Sequence, residues 1–479
     1  MRRIAIIVDH PQRDLAGLVL TAFRLCQEGI TCHLVPLNLQ DRELWALAPD
    51  FVLLNFARRG TEQLAVQLRN ARIKYGVLDT EGGVWGSLSE YSDTLWGSRS
   101  LLHGAECVCA WGPATADHVV KEGFFNRSQV TVTGCPRFDL YHSKWRSILA
   151  GDSAPGAHEP RRRILINTNF TFSNPKFASV DHHLECVQQE MGWSLSRAMS
   201  VLSAGRAGLD ATIDMVRNLS RDFPRSEIIL RPHPFEQGEY YRTRLATLEN
   251  VSIDGNGPVQ LQIYRADVVV QRSCTTAIEA GMASVPTLSP QWVPPEMEMP
   301  AAEEVSTACI SYQDLRGRVD EILAGCYDTP ADTQRAIKRV IGKWFYYADG
   351  LAHQRVADVV VSHLNGAREV DERLCAKILY GVNSGAGGNF ERLGRTIRYA
   401  FNLSSDWSFR HMRKIPSLSW ATTNKFFGVE QVRKLAEQVQ SAAAANGYAA
   451  SPLRVEFART TGDYFDDYHG HSITLRANQ

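Results

Sequence analysis

The chain has 479 residues, of which 44% are apolar and 22% charged, with a formal net charge of +0. That is enough for two large cores and too much for one ordinary domain. The even charge excludes a general attraction to nucleic acid or to an anionic membrane. The 10 cysteines are scattered and form no Cys-x-x-Cys set, which argues against a zinc centre or a disulfide framework and fits a reducing cytoplasm.

The first apolar run, Ile4–Val8, stops at Asp9, too short for a leader and right for a buried strand. Residues 14–28 follow with helical spacing of Leu15, Leu18, Phe23 and Leu25. Strands near 31–36, 51–55 and 75–79, a helix at 61–73, a strand at 106–111, a helix at 113–123 and a strand at 129–133 continue the alternation. Alternating strands and helices predict a parallel, doubly wound α/β sheet. The first turn, Asp9-His-Pro11, lacks Gly-x-Gly-x-x-Gly, so no nicotinamide dinucleotide site is expected there. Residues 151–160, rich in Gly and Pro, read as a linker.

A second α/β series then begins, with strands at 164–166, 227–231, 250–253, 267–271 and 285–288 and helices at 208–221 and 275–282. Residues 331–364 read as helical. Residues 366–479 read as a mainly helical extension (367–380, 390–402, 429–446), best taken as a cap on the second domain. No stretch approaches the length that spans a membrane.

Four stretches carry chemistry. Arg231-Pro-His-Pro234 ends a strand, because two prolines cannot continue it. Ligands of open α/β sheets bind at that edge, and His233 there is suited to donate a hydrogen bond to a phosphate or protonate it as it leaves. Arg231 either adds charge or packs as a strand-end residue. Gln271-Arg-Ser273-Cys-Thr275-Thr276 follows another strand and opens a helix that contains Glu279; free N–H groups and hydroxyls together suit an anion, though Ser and Thr are also the usual helix caps. Asp79-Thr-Glu81-Gly-Gly83 puts carboxylates at a strand end of the first domain, where a general base would stand, with glycines leaving room for ligand. Gly134–Asp139 reads as an architectural turn. There is no Gly-x-x-x-x-Gly-Lys-Ser/Thr loop and no Asp-x-Asp, so neither a P-loop nor a nucleotide-bound metal is expected. The Asp463–His471 tail is a candidate metal ligand set, with a solvated tail the commoner reading.

An acidic-Gly loop in one domain, with His-Pro and a Ser/Thr helix start in the next, resembles the GT-B glycosyltransferases of bacterial surface-carbohydrate biosynthesis that use CMP-activated acid sugars. Here Glu81-Gly82, His233-Pro234 and Thr275-Thr276 with Ser273 stand for the three elements. Thr80 replaces one acid and Cys274 interrupts the hydroxyls, so the base is Glu81 or Asp79. The resemblance covers roughly residues 1–365 and extends to Gly134–Asp139, Ile164–Phe170 and Trp344–Gly350. It implies two Rossmann-like domains facing a cleft: 1–150 for the acceptor, 160–345 for the nucleotide-sugar donor, and a crossover helix at 346–365. It implies transfer of Kdo or a nonulosonic acid from CMP to a hydroxyl of a surface glycan or glycolipid. His233, Pro234, Arg231, Ser273, Thr275, Thr276 and Glu279 would grip the donor, and Asn167 and Asn169 would orient donor or acceptor. No metal and no cofactor are implied. A CDP-glycerol-type glycerophosphotransferase has the same architecture. A non-catalytic nucleotide-sugar-binding assembly protein is the other alternative, with the aromatic and basic stretch Trp407–Lys414 as a docking segment. The expected setting is the cytoplasm or the inner face of its membrane, within a glycan-assembly complex.

Overall fold

The computed structural model describes residues 2–150, 162–176, 179–189, 193–366, 369–379, 425–458 and 472–477. The chain divides into two compact units, Met1–Gly151 with Lys343–Gln479, and Asp152–Gly342.

The first unit is built on β1 (Arg3–Val8), β2 (Thr31–Pro36), β3 (Phe51–Leu54), β4 (Lys74–Val77), β5 (Cys107–Ala110) and β6 (Val130–Val132). Ile4 to Val8 are each at most 1% exposed, as expected of a central parallel strand covered on both faces. The sheet order is β13-β14-β2-β1-β3-β4-β5-β6, where β13 is Leu453–Phe457 and β14 is Ile473–Ala477. From β1 the chain goes to one side, to β2, and then returns to the other, to β3. The point between β1 and β3 is therefore a topological switch, where the crevice at the carboxyl edge opens. Helix Pro11–Gln27 starts with proline, which suits the first helical turn. It packs against helix Ala352–Ser362 and helix Val429–Ala445.

The reading of residues 366–479 as a mainly helical cap on the second unit is corrected here. Beside helices Glu372–Leu379 and Val429–Ala445, the segment supplies two strands, and they belong to the first unit. β14 lies antiparallel between β13 and β2. Its Ile473 and Leu475 are fully buried, and Thr474 Oγ1 meets His33 Nδ1 at 2.9 Å. Five residues of alternating pattern are too short a signal to stand out beside an alanine-rich helix. The stretches 390–402, Trp407–Lys414 and Asp463–His471 and the linker at 151–160 lie outside the described residues.

Residues 331–364 form two helices, Ala331–Trp344 and Ala352–Ser362. Between them Tyr346 and Gly350 have φ of 67° and 72°, left-handed values that no continuous helix tolerates.

The second unit holds β7 (Arg163–Asn167), β8 (Glu227–Arg231), β9 (Val251–Ile253), β10 (Val268–Gln271), β11 (Thr287–Pro290) and β12 (Thr307–Cys309), all parallel in the order β12-β11-β10-β7-β8-β9. Its switch point falls between β7 and β10. Ile164, Ile166, Ile228, Leu230, Val268 and Val270 pack against Leu209, Ile213 and Val216 of helix Leu195–Asp222. The chain is thus α/β, with two Rossmann-like doubly wound units, the pair that the GT-B class requires.

Candidate functional site

In the second unit the ends of β10, β7 and β8 stand side by side at the carboxyl edge. They bring together Thr275 and Thr276, Asn167, and His233, the first two flanking the switch point. Neighbouring strands lie about 4.8 Å apart, so the three ends span roughly 10 Å, the reach of a phosphoester and its sugar.

His233 is held from below. Its backbone N–H donates to Glu236 Oε1 at 3.0 Å, and its Nδ1 accepts from the Phe235 N–H at 3.2 Å. A neutral imidazole with Nδ1 accepting carries its proton on Nε2. The Phe235 ring lies parallel to His233 at 5.5 Å between centroids and is itself exposed.

Glu236 was not expected from the sequence. Its carboxylate is buried and accepts from Thr168 Oγ1 (2.9 Å), the Tyr241 hydroxyl (2.5 Å) and the His233 N–H. Burial pushes its pKa up to about 7, against the opposing hydrogen bonds from Tyr241, His233, Phe170 and Thr168. The sequence signal was an acid three residues past a histidine, on a turn whose own N–H groups need an acceptor.

Asn167, ending β7, donates from Nδ2 to Thr276 Oγ1 at 2.9 Å, and Thr276 Oγ1 donates onward to Cys274 Sγ at 3.1 Å. That sequence of donors leaves Asn167 Oδ1 buried with no hydrogen-bond partner among the described residues. An unmet acceptor at a switch point is a place for a ligand hydroxyl. Asn169 is half-buried, and with Asn167 and Arg272 it lines one small cavity.

Other expected residues are engaged elsewhere. Arg231 uses its guanidinium within the fold: it donates to the Asn256 carbonyl (3.0 Å), Gln262 Oε1 (2.9 Å) and the Gly257 carbonyl (2.7 Å), closing the loop after β9. A buried guanidinium is held where it finds fixed acceptors. Ser273 is 2% exposed at φ 52°, and both its N–H (2.7 Å) and its hydroxyl (3.1 Å) donate to Glu303 Oε1. Glu303 also pairs with Arg272 at 2.7 Å. Ser273 therefore shapes the turn, with both of its donors taken up by Glu303. Thr275 is exposed at the N-cap of helix Thr276–Met282 and makes no side-chain cap bond. Glu279 lies half-buried in that helix's first turn. Pro234 is half-buried and sets the turn after His233.

In the first unit Asp79 and Glu81 follow β4. The Asp79 carboxylate is buried and accepts from Arg58 Nη2 (3.1 Å), the Glu81 N–H (2.8 Å) and the Tyr91 hydroxyl (3.3 Å). Burial raises its pKa despite Arg58. Glu81, with its side chain 50% exposed, pairs with Arg58 Nη1 at 2.7 Å and Arg13 Nη1 at 3.6 Å. Burial pushes Glu81 upward, but the Arg58 hydrogen bond and the charges of Arg58 and Arg13 outweigh it, and its pKa falls below the ordinary value. Glu81 is the ionised, reachable carboxylate, and Asp79 is the buried one.

The glycines of this loop serve packing, not ligand space. A Cβ on Gly82 would come 3.0 Å from the Trp111 side chain, and one on Gly83 2.8 Å. Arg13 and Arg58, which the sequence reading missed, decide the charge at Glu81. Arg58 follows the β3 strand closely, so its place at the sheet edge was readable; which acid it meets was not.

Among the described residues no group of three or more His, Cys, Asp or Glu side chains is arranged to hold a metal ion, and no helix is long and apolar enough to cross a membrane. No family model and no curated protein matches the chain. Among solved structures it is similar to a UDP-GlcNAc 2-epimerase from Neisseria meningitidis bound to UDP-GlcNAc, at 12% identity and a TM-score of 0.46 over 76% of this chain and 100% of that one. It is similar to the Methanocaldococcus jannaschii UDP-GlcNAc 2-epimerase in complex with UDP-GlcNAc and UDP, at 11% identity and 0.43 over 75% and 99%. It is also similar to the wall teichoic acid polymerase TagF, at 12% and 0.38 over 61% and 69%. At identities and scores of this size nothing of their chemistry transfers to this chain. Its own residues place a histidine with an accepting Nδ1 one strand from one switch point and an ionised carboxylate near the other.

Proposed function

We propose that the chain is a GT-B glycosyltransferase that moves an acid sugar, Kdo or a nonulosonic acid, from a CMP donor to a hydroxyl of a surface glycan or glycolipid. The supporting observation is His233 at the carboxyl edge of β8: its Nδ1 accepts from the Phe235 N–H, the arrangement that in a neutral ring carries the proton on Nε2. As the bond between the anomeric carbon and the phosphate oxygen breaks, its electron pair stays on that oxygen. His233 Nε2–H donates to the phosphate, with the exposed Thr275 hydroxyl beside the switch point as a second donor. Asn167 Oδ1 accepts from a hydroxyl of the bound nucleotide or sugar. Glu81 takes the acceptor's hydroxyl proton, and buried Asp79 orients Arg58 and the Glu81 backbone. The charge on the leaving phosphate is met by these donors, so no metal is invoked, and the nucleotide sugar is a substrate and not a cofactor. A lipid-borne acceptor would bring the enzyme to the inner face of the cytoplasmic membrane.

Thermal shift of the full chain with CMP, CDP-glycerol, UDP and NAD tests this. CMP is expected to raise the melting temperature of the wild type and to raise that of His233→Ala much less. Stabilisation by UDP or NAD without CMP overturns the reading. Transfer of glycerol phosphate from CDP-glycerol would replace the sugar with glycerol phosphate as the group moved.

A further inference from the structure

Among the described residues, Lys425 carries the C-terminal segment to the first-unit site. Lys425 pairs with Asp9, the residue that ends β1 at the switch point. Asp9 also accepts from Arg13 Nη2 at 2.8 Å and from Thr80 Oγ1 at 3.3 Å. Arg13 in turn is shared between Asp9, Asp14 (Nε to Oδ1, 3.0 Å) and Glu81 (3.6 Å). From there Glu81 meets Arg58, and Arg58 meets Asp79. Charges alternate along the whole series: Lys425, Asp9, Arg13, Glu81, Arg58, Asp79. Three cations and three anions balance, and the weakest link is the Arg13–Glu81 contact.

We propose that Lys425 is a positioning residue of the first-unit site: by holding Asp9, it leaves Arg13 free to reach Glu81. Without Lys425, Asp9 draws Arg13 more strongly and the long contact to Glu81 opens. The lost lysine charge and the less neutralised Asp9 act on Glu81 in the same sense, so all three effects make its proton harder to remove. The groups that face Glu81 are Arg58 beyond β3, Arg13 on helix Pro11–Gln27, Asp9 beyond β1 and Asp79 on its own loop. Behind them, Tyr91 meets Asp79, the His10 N–H and Arg137 meet Asp14, and the Trp85 indole donates to the Glu81 carbonyl. A role for the C-terminal segment follows that does not depend on which nucleotide the second unit binds.

The test labels carboxyl groups of the ligand-free full chain with a carbodiimide and glycine ethyl ester across pH 3 to 6, reading Glu81 by peptide mass spectrometry. The coupling rate falls as the acid ionises, so an upward move of the Glu81 pKa moves its labelling curve upward, and half-exposed Glu81 is reachable. Lys425→Ala is expected to move half-labelling of Glu81 upward by about half a pH unit, and Lys425→Arg to restore it. In an Asp9→Asn background the same Lys425→Ala change is expected to lose most of its effect, because the route runs through Asp9. Should Lys425→Ala unfold, as circular dichroism would show, Lys425→Gln is read in its place. Glu81 labelling unchanged by the loss of Lys425, an equal shift in Lys425→Arg, or a full shift retained without Asp9 overturns the proposal. Because no donor is added, failure here leaves the CMP reading standing, and failure of that reading leaves this one.

Discussion

Glu236 shows how one buried acid serves a turn at some cost to the fold. Four donors converge on it, yet burial holds its pKa at about 7. A carboxyl whose pKa is higher folded than unfolded binds its proton more tightly in the folded state. Stability from this group is therefore greatest below about 4.5 and falls as pH rises toward 7, by roughly 3 kcal/mol at most. Glu236→Gln cannot titrate. The melting temperature of that variant relative to the wild type is expected to rise between pH 5 and pH 8. Parallel curves, measured by calorimetry or circular dichroism, would remove Glu236 as the titrating group. At this scale the sequence was half legible. The strand-end placement of His233, Asn167 and Glu81 was readable because Pro, Asn and Gly-Gly punctuate strand ends. The engagement of Arg231 and Ser273 was not, since their partners Gln262 and Glu303 lie 31 and 30 residues away along the chain.

Among the elements, helix Pro11–Gln27 positions the charges of the first-unit site. Its N-terminal turn carries Arg13 and Asp14 into the site while Gly17, one turn on, lies against the helix Pro136–Asp139. A Cβ on Gly17 would come 2.6 Å from the Arg137 backbone nitrogen and 2.7 Å from the Pro136 carbonyl carbon. Backbone atoms do not give way as a side-chain tip does. Gly→Ala within an exposed helix would stabilise by up to about 1 kcal/mol; here Gly17→Ala is expected to destabilise by about 1–3 kcal/mol through overpacking. The sign of the shift in a urea midpoint decides it, and a more stable variant would refute the close approach. Gly134–Asp139, which read as architecture from sequence, serves architecture: Asp139 accepts from the Ala352 N–H at 2.9 Å and the His353 N–H at 2.7 Å, tying that turn to helix Ala352–Ser362.

For the whole molecule, the two units differ in how they are assembled from the chain. The second is continuous, Asp152–Gly342, and its sheet is complete within that span. The first needs both chain ends: β14 covers the β2 edge, and helices Ala352–Ser362 and Val429–Ala445 cover helix Pro11–Gln27. A fragment of residues 162–342 is therefore expected to unfold cooperatively by itself, while residues 1–150 alone are not, because a bare strand edge and an uncovered apolar helix remain. Cooperative melting of the 1–150 fragment at the full chain's temperature would show the C-terminal segment to be dispensable for this unit.

By itself the sequence determined the local periods: which runs are strands buried on both faces, where prolines and glycines end them, and hence two doubly wound α/β units with polar residues at the strand ends. These depend on neighbours a few residues apart, and the pattern carries them. Tertiary structure decided which charges meet. It brought Lys425 to Asp9, Arg58 to Glu81 and a late five-residue strand to β2, because ion pairing and sheet closure join residues that only the folded path makes neighbours, and no spacing along the chain encodes them.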